Sequence, residues 1–168
     1  MALRIEYILT LAIAVTSALI LHSKPKESVK VTEPNSTKEF YFEDFTLLEL
    51  NGTGIKNSLK AKEATKYKET FLLKEIELNY ENEDRVFADS AVYVKNIVYL
   101  KGNILFEEIG SFKFWSSDLN YNIKTKDIYT SSTFRLKIRD NSIVGKKLKY
   151  NMKEKDIEAS NIDANLTY

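Results

Sequence analysis

Few side chains in this chain could move a proton, attack a substrate or hold a metal. Cysteine is absent, which removes disulfides, thiolate metal sites, thiol nucleophiles and any lipoprotein acylation site. The single histidine, His22, closes an apolar run, where an interfacial polar group explains it better than a general base. "ENEDR", Glu81 to Arg85, carries enough carboxylate to attract a cation, but it stands between two apolar stretches and reads as a solvated turn. Arg135, Lys137 and Arg139 alternate with Phe134, Leu136 and Ile138. Such a stripe could meet phosphates or an acidic partner, or simply keep one strand face in water. No nucleophile motif, glycine-rich phosphate loop or metal-ligand spacing is present, so the chain does not read as an enzyme and no cofactor or metal is expected. Asn-x-Ser/Thr triplets at Asn35, Asn51 and Asn165 matter only in a eukaryotic secretory route. A net charge of +1 gives no reason to expect nucleic acid.

With little chemistry to position, the elements themselves carry the argument. "YILTLAIAVTSALIL", Tyr7 to Leu21, is uncharged and mostly apolar. A helix from Ile5 to Leu21 would span roughly 25 Å, slightly short of a bilayer core, and Arg4 could snorkel to make up the difference. A cleaved signal peptide needs small residues at −3 and −1, whereas cleavage after Ser23 would put Leu21 at −3. Residues 1–22 therefore read as an uncleaved transmembrane anchor helix. Three lysines follow it and one arginine precedes it, a count that mildly favours the carboxyl side inside and leaves orientation open. Residues 23–39, with Pro25, Pro34 and mainly Lys, Ser, Thr and Glu, read as a polar tether too poor in apolar surface to fold. Residues 40–168 form the folded domain, and the ten Tyr and nine Phe of the chain suit strands.

In "FADSAVYVKNIVYLKGNILFEE", Phe87 to Glu108, Phe87, Ala91 and Tyr93 share one strand face, interrupted by Asp89. Val98, Leu100, Gly102, Ile104 and Phe106 then alternate with polar or outward residues, the period of a half-buried strand. The pattern small-x-x-apolar-x-Tyr in "ADSAVY" returns in "SSDLNY" and "GKKLKY", with a weaker copy in "AKEATKY". The small residues are Ala61, Ala88, Ser116 and Gly145, a step of 27 to 29 residues holding two strands each time. That is the mark of a stacked repeat. On the third rung Trp115, Leu119, Tyr121 and Ile123 face one way, as do Ile128, Phe134, Leu136 and Ile138 on its second strand. In the last strand Ile157 and Ala159 are out of phase with Ile162, Ala164 and Leu166, which predicts a β-bulge near Ser160 to Asn161. No helical period follows residue 40. The domain is expected to be all-β: an antiparallel sandwich or jelly roll of stacked hairpin repeats with its inner faces turned together.

The inward set is then Ile76, Leu78, Ala91, Tyr93, Leu100, Ile104, Phe106, Trp115, Leu119, Tyr121, Ile128, Phe134, Leu136, Leu148 and Tyr150. By residue type it could equally be a dry core or the lining of a lipid groove. An open ladder also leaves unpaired strands at its ends. The last apolar strand, with Ile162, Ala164, Leu166 and Tyr168, is therefore expected to be extended by strand addition from another protein.

One amino-terminal membrane helix, a tether, and a ladder with "ADSAVYVKNIVYLKGNILFE", "SSDLNYNIKTKDIY" and "GKKLKYNMKEKDIEASNIDANLTY" resemble the LptC family, the inner-membrane-anchored periplasmic component of the lipopolysaccharide export machine. Ser131 and Ser132 stand where a glycine would match the "YLKGNI" rung. The resemblance implies a single-pass protein of the bacterial inner membrane, its amino terminus cytoplasmic and its β domain periplasmic. The anchor would pack beside the transmembrane subunits of an ABC transporter. Phe45 and Leu47 would belong to the end facing that transporter's own periplasmic domains. The jelly roll would receive lipopolysaccharide in its apolar groove and pass it to a bridge protein joined at Ile162–Tyr168. The alternative is a membrane-tethered scaffold with a closed core that binds proteins only.

Overall fold

The computed structural model describes residues 38–52, 54–81 and 83–166. The expected anchor helix, and the tether as far as Thr37, lie outside the described residues. Among the described residues no helix is long and apolar enough to cross a membrane.

Ten strands follow one another: β1 (Phe40–Asn51), β2 (Gly54–Tyr67), β3 (Thr70–Tyr80), β4 (Asp84–Val94), β5 (Ile97–Glu108), β6 (Phe112–Asn122), β7 (Asp127–Tyr129), β8 (Thr133–Ile138), β9 (Asn141–Asn151) and β10 (Asp156–Asn165). All pairings are antiparallel, and the chain runs as one meander in which β7 and β8 together fill the place between β6 and β9. The architecture is thus a single all-β sheet of jelly-roll-like form, where two facing sheets were one of the expectations. Two of the turns are closed by the asparagine that follows a tyrosine. Asn122 Oδ1 accepts from the N–H groups of Lys124 and Thr125, and Asn151 Oδ1 accepts from those of Lys153 and Glu154. These side-chain bonds close the polar loops "NIKTKD" and "NMKEKD" locally.

A sheet of this length would stay open unless something folded it. The cause is a slip in alternation near the middle of successive strands. On β3, Leu73 and Ile76 are both buried while Lys74 and Glu75 between them are exposed. On β9 the exposed pair is Lys146 and Lys147, between Gly145 and Leu148. Positive φ marks the slip at Asp44 (49°), Glu75 (48°), Gly102 (81°), Lys147 (53°) and Asn161 (53°). These kinks align across the sheet, and side chains from both sides of the line enclose one apolar space. Bulges bend and twist strands, and here they turn a flat meander into a roll.

The inward side chains meet in rows. Beside the fold line, Phe45, Ala61, Ile76 and Ala88 are successive cross-strand partners, and so are Ile104, Ser116, Phe134 and Gly145. Large and small alternate strand by strand, so each bulky side chain fills room left by its small neighbours. That is the physical content of the repeat. The next row holds Phe42, Ala64, Leu73, Ala91, Leu100 and Leu119. The last runs through Phe40, Lys66, Phe71, Tyr93, Val98, Tyr121, Ile128, Tyr150 and Ile157. The weak upstream copy therefore contributes Lys66, rather than Tyr67, to the tyrosine row.

Two assignments of face are corrected. On β6, Phe114 and Ser116 are buried, so Trp115 between them points outward, opposite Leu105 and Arg135. On β4, Val86 and Ala88 are buried, and Phe87 faces the other way. In both strands the alternation changes phase at the slip, so a single period does not hold across it. The slip predicted near Ser160 to Asn161 is present, as breaks in the β9–β10 register on either side of Ser160.

Candidate functional site

The roll encloses a cavity of about 230 Å³ whose wall presents no polar surface. Leu59, Ile76, Leu78, Val86, Ile104, Phe106, Phe112, Phe114, Leu136 and Ile138 line it from one side of the fold line. Leu73, Ala91, Val98, Leu100, Leu119, Ile128, Leu148, Tyr150 and Ile157 line it from the other. For scale, an engineered apolar cavity of about 150 Å³ stays dry and takes up benzene. Hydrocarbon is the ligand chemistry such a wall can accept.

The expected lining is brought together except for four residues. Tyr93, Tyr121 and Phe134 belong to the core without lining the cavity, and Trp115 faces away. Phe134 instead stacks on Phe114, ring centroids 5.9 Å apart. The expected set missed Leu59, Leu73, Val86, Val98, Phe112, Phe114, Ile138 and Ile157. A change of phase at Ser117–Asp118 would have exposed Phe112 and Phe114 as inward residues.

The cavity wall is buried at one end of the ladder and partly exposed at the other. Its lining on β2 to β5 is buried throughout. The row beyond it on β2 to β4 ends in Asn57, Tyr80 and Asp84, all buried, and Asn57 both donates to Glu49 Oε2 (2.5 Å) and accepts from the Glu81 N–H (3.1 Å). The same row continues through Glu108 to Phe112 and Ile138, changing from polar to apolar as it goes. Ile138 is 41% exposed and Ile157 61% exposed, although both line the cavity. The mouth therefore lies among β8, β9 and β10.

Two carboxylates hold the fold line open beside this lining. Asp89 accepts from Asn103 N (3.2 Å) and Nδ2 (3.0 Å), pinning the bulge of β5. Asp118 accepts from Ser131 N and Oγ, both at 3.0 Å, and from Thr130 Oγ1 at 3.3 Å. Burial pushes the Asp118 carboxyl up, but hydrogen bonds from Ser132, Ser131 and Thr130 outweigh it and hold it below the usual aspartate range. Where the glycine of the preceding rung is missing, the strand is broken into β7 and β8 and the two serines bind Asp118.

No described strand pairs with the outer edge of β1 or of β10. Phe45 and Leu47 on β1 face inward and pack on the core, while Phe40 and Phe42 on the same strand are exposed. On β10, Ile162 is exposed and Ala164 pairs with Ile143; Leu166 is exposed just beyond the strand. Tyr168 lies outside the described residues. Glu81 and Glu83 sit in the β3–β4 turn, and no three His, Asp or Glu side chains among the described residues are grouped to hold a metal. Arg135, Lys137 and Arg139 are exposed, with Lys137 opposite Lys113 and Ser142.

The fold is similar to that of LptH from Pseudomonas aeruginosa, described as the LptA homologous periplasmic component of the conserved lipopolysaccharide transport device. The two share a TM-score of 0.55 at 10% identity, covering 67% of this chain and 95% of that one, a likeness of fold alone. No curated protein matches the sequence. Residues 8–162 match the family described as "LptC: Lipopolysaccharide-assembly, LptC-related". The chain belongs to that family, and its role lies in lipopolysaccharide transport.

Proposed function

We propose that the β domain is a lipopolysaccharide adaptor of the periplasm, tethered to the inner membrane by residues 1–22. It takes acyl chains from an ABC transporter into the roll and passes them to a bridge protein. The observation that carries this reading is the wholly apolar cavity whose mouth opens beside the last strands. Exposing one acyl chain of about a dozen carbons to water costs roughly 10 kcal/mol. A laterally open apolar cavity offsets most of that cost and leaves the sugar outside. No catalytic group is required; ATP hydrolysis belongs to the transporter. The bridge protein adds its strand to the free edge of β10, which brings its own groove beside the mouth. The transporter's periplasmic domains meet the other free edge, at β1.

Ile138 and Ile157 offer a test that spares the core, since both are partly in water. A glutamate at both positions leaves the melting temperature within a few degrees and lowers lipopolysaccharide binding about tenfold or more. Unchanged binding by a folded double variant would leave the protein-only scaffold as the better account.

A further inference from the structure

Lys66 is the only lysine or arginine among the buried residues described, at 5% exposure. It stands on the inner face of β2, in the row that elsewhere carries Phe71, Tyr93, Tyr121 and Tyr150. Its neighbour toward the fold line, Ala64, pairs with Leu73, which lines the cavity. Lys66 does not itself line the cavity; it stands one row out from Leu73, at the end of the ladder opposite the β8–β10 mouth. Its partner is the Glu39 carboxylate, and the Phe40 ring lies 5.7 Å away. Glu39 is the residue just before β1, and its side chain is 36% exposed against 6% for Lys66. A fixed inward cation is thus matched by a peripheral anion that solvent can reach.

A buried ammonium needs an anion, but nothing requires that anion to be Glu39. Ammonium offers three donors and a phosphate three acceptor oxygens, a stronger match than one carboxylate. We infer that Lys66 binds the anionic headgroup, phosphate or carboxylate, of an amphiphile whose chains enter the cavity, and that Glu39 occupies the site until the headgroup displaces it. This rests on the lipid-handling reading above and adds to it the charge of the ligand and the point where it is read.

The full chain, held in a non-ionic amphipol, is titrated calorimetrically with decyl phosphate, decyl maltoside and inorganic phosphate, the amphiphiles below their micelle concentrations. Decyl phosphate should bind about tenfold tighter than decyl maltoside, and inorganic phosphate far more weakly than either. Lys66→Tyr, which installs the side chain of the neighbouring rungs, should erase the preference and keep maltoside binding. Glu39→Gln should raise the affinity for decyl phosphate several-fold, because the competing carboxylate is gone. A preference that survives Lys66→Tyr, or a Glu39→Gln variant that binds decyl phosphate no better, would overturn the assignment. Inorganic phosphate binding as tightly as decyl phosphate would show a free-anion site instead and also overturn it. Failure of the wild-type chain to bind either amphiphile would contradict the cavity reading itself, whereas binding without preference would contradict only Lys66.

Discussion

Two glycines show how narrowly the roll is specified. A Cβ on Gly102 would overlap the Asp89 carboxyl, at a φ of 81° that side chains avoid. Gly102→Ala should therefore cost about 2–4 kcal/mol in urea denaturation, from strain and the loss of the Asp89–Asn103 contacts. At Gly145 a Cβ would stand 2.5 Å from Ile162 Cδ1 and 2.7 Å from Phe134 Cζ. Gly145→Ala should cost about 1–3 kcal/mol and loosen β10, seen as faster amide exchange at Ile162 to Ala164. Asp118 gives a pH dependence. Its carboxyl titrates lower when folded than when unfolded, so its stabilisation is present above the ordinary aspartate pKa of about 3.9 and is lost as pH falls through the lower folded value. The wild-type chain should exceed Asp118→Asn in stability at pH 7, and the gap should close below about pH 4. A gap that widens in acid would contradict the assignment.

Among the elements, alternation made the repeat hairpins from β2 onward readable, though not the break between β7 and β8, and the turns after Tyr121 and Tyr150 were visible in "NYNIKTKD" and "KYNMKEKD". The slips were legible only where apolar residues flank them. Ile157 and Ala159 against Ile162 and Ala164 reveal the one in β10, because either phase alone leaves an apolar residue misplaced. In β6 the run "FKFWSS" fits both phases, since Phe114 and Trp115 are each apolar. There the choice is made by cross-strand partners, Phe106 and Leu136 opposite Phe114, which no local pattern contains. The slips impose strain on ordinary residues: Glu75 and Lys147 take φ values near 50° inside strands. Replacing either by glycine relieves that strain, and a gain of about 0.5–1 kcal/mol in chemical denaturation is expected. A loss would mean that the kink is held by the side chain itself. Deleting Ile162–Tyr168 should abolish capture of the bridge protein, read by pull-down from a strain carrying it, while the chain stays in the membrane fraction; undiminished capture would exclude β10 as the joining edge.

For the whole molecule, the repeat period announced a ladder, and its apolar faces announced an interior. Whether that interior was solid or hollow could not be read from residue types, because Ile104, Phe106 and Leu119 suit both. Hollowness depends on how far the fold line brings the two halves of the sheet together, a long-range property of aligned kinks. The position of the mouth follows from where the rim row turns from Asp84 and Glu108 to Phe112 and Ile138. The central claim is that this hollow carries acyl chains. It is tested most directly by placing a photo-crosslinking amino acid, one position at a time, at Phe106, Leu119 and Trp115 in growing cells. Lipopolysaccharide adducts at Phe106 and Leu119, with none at outward-facing Trp115, are the predicted result. Adducts at Trp115 alone, or at none of the three while the protein is folded and in place, would contradict it.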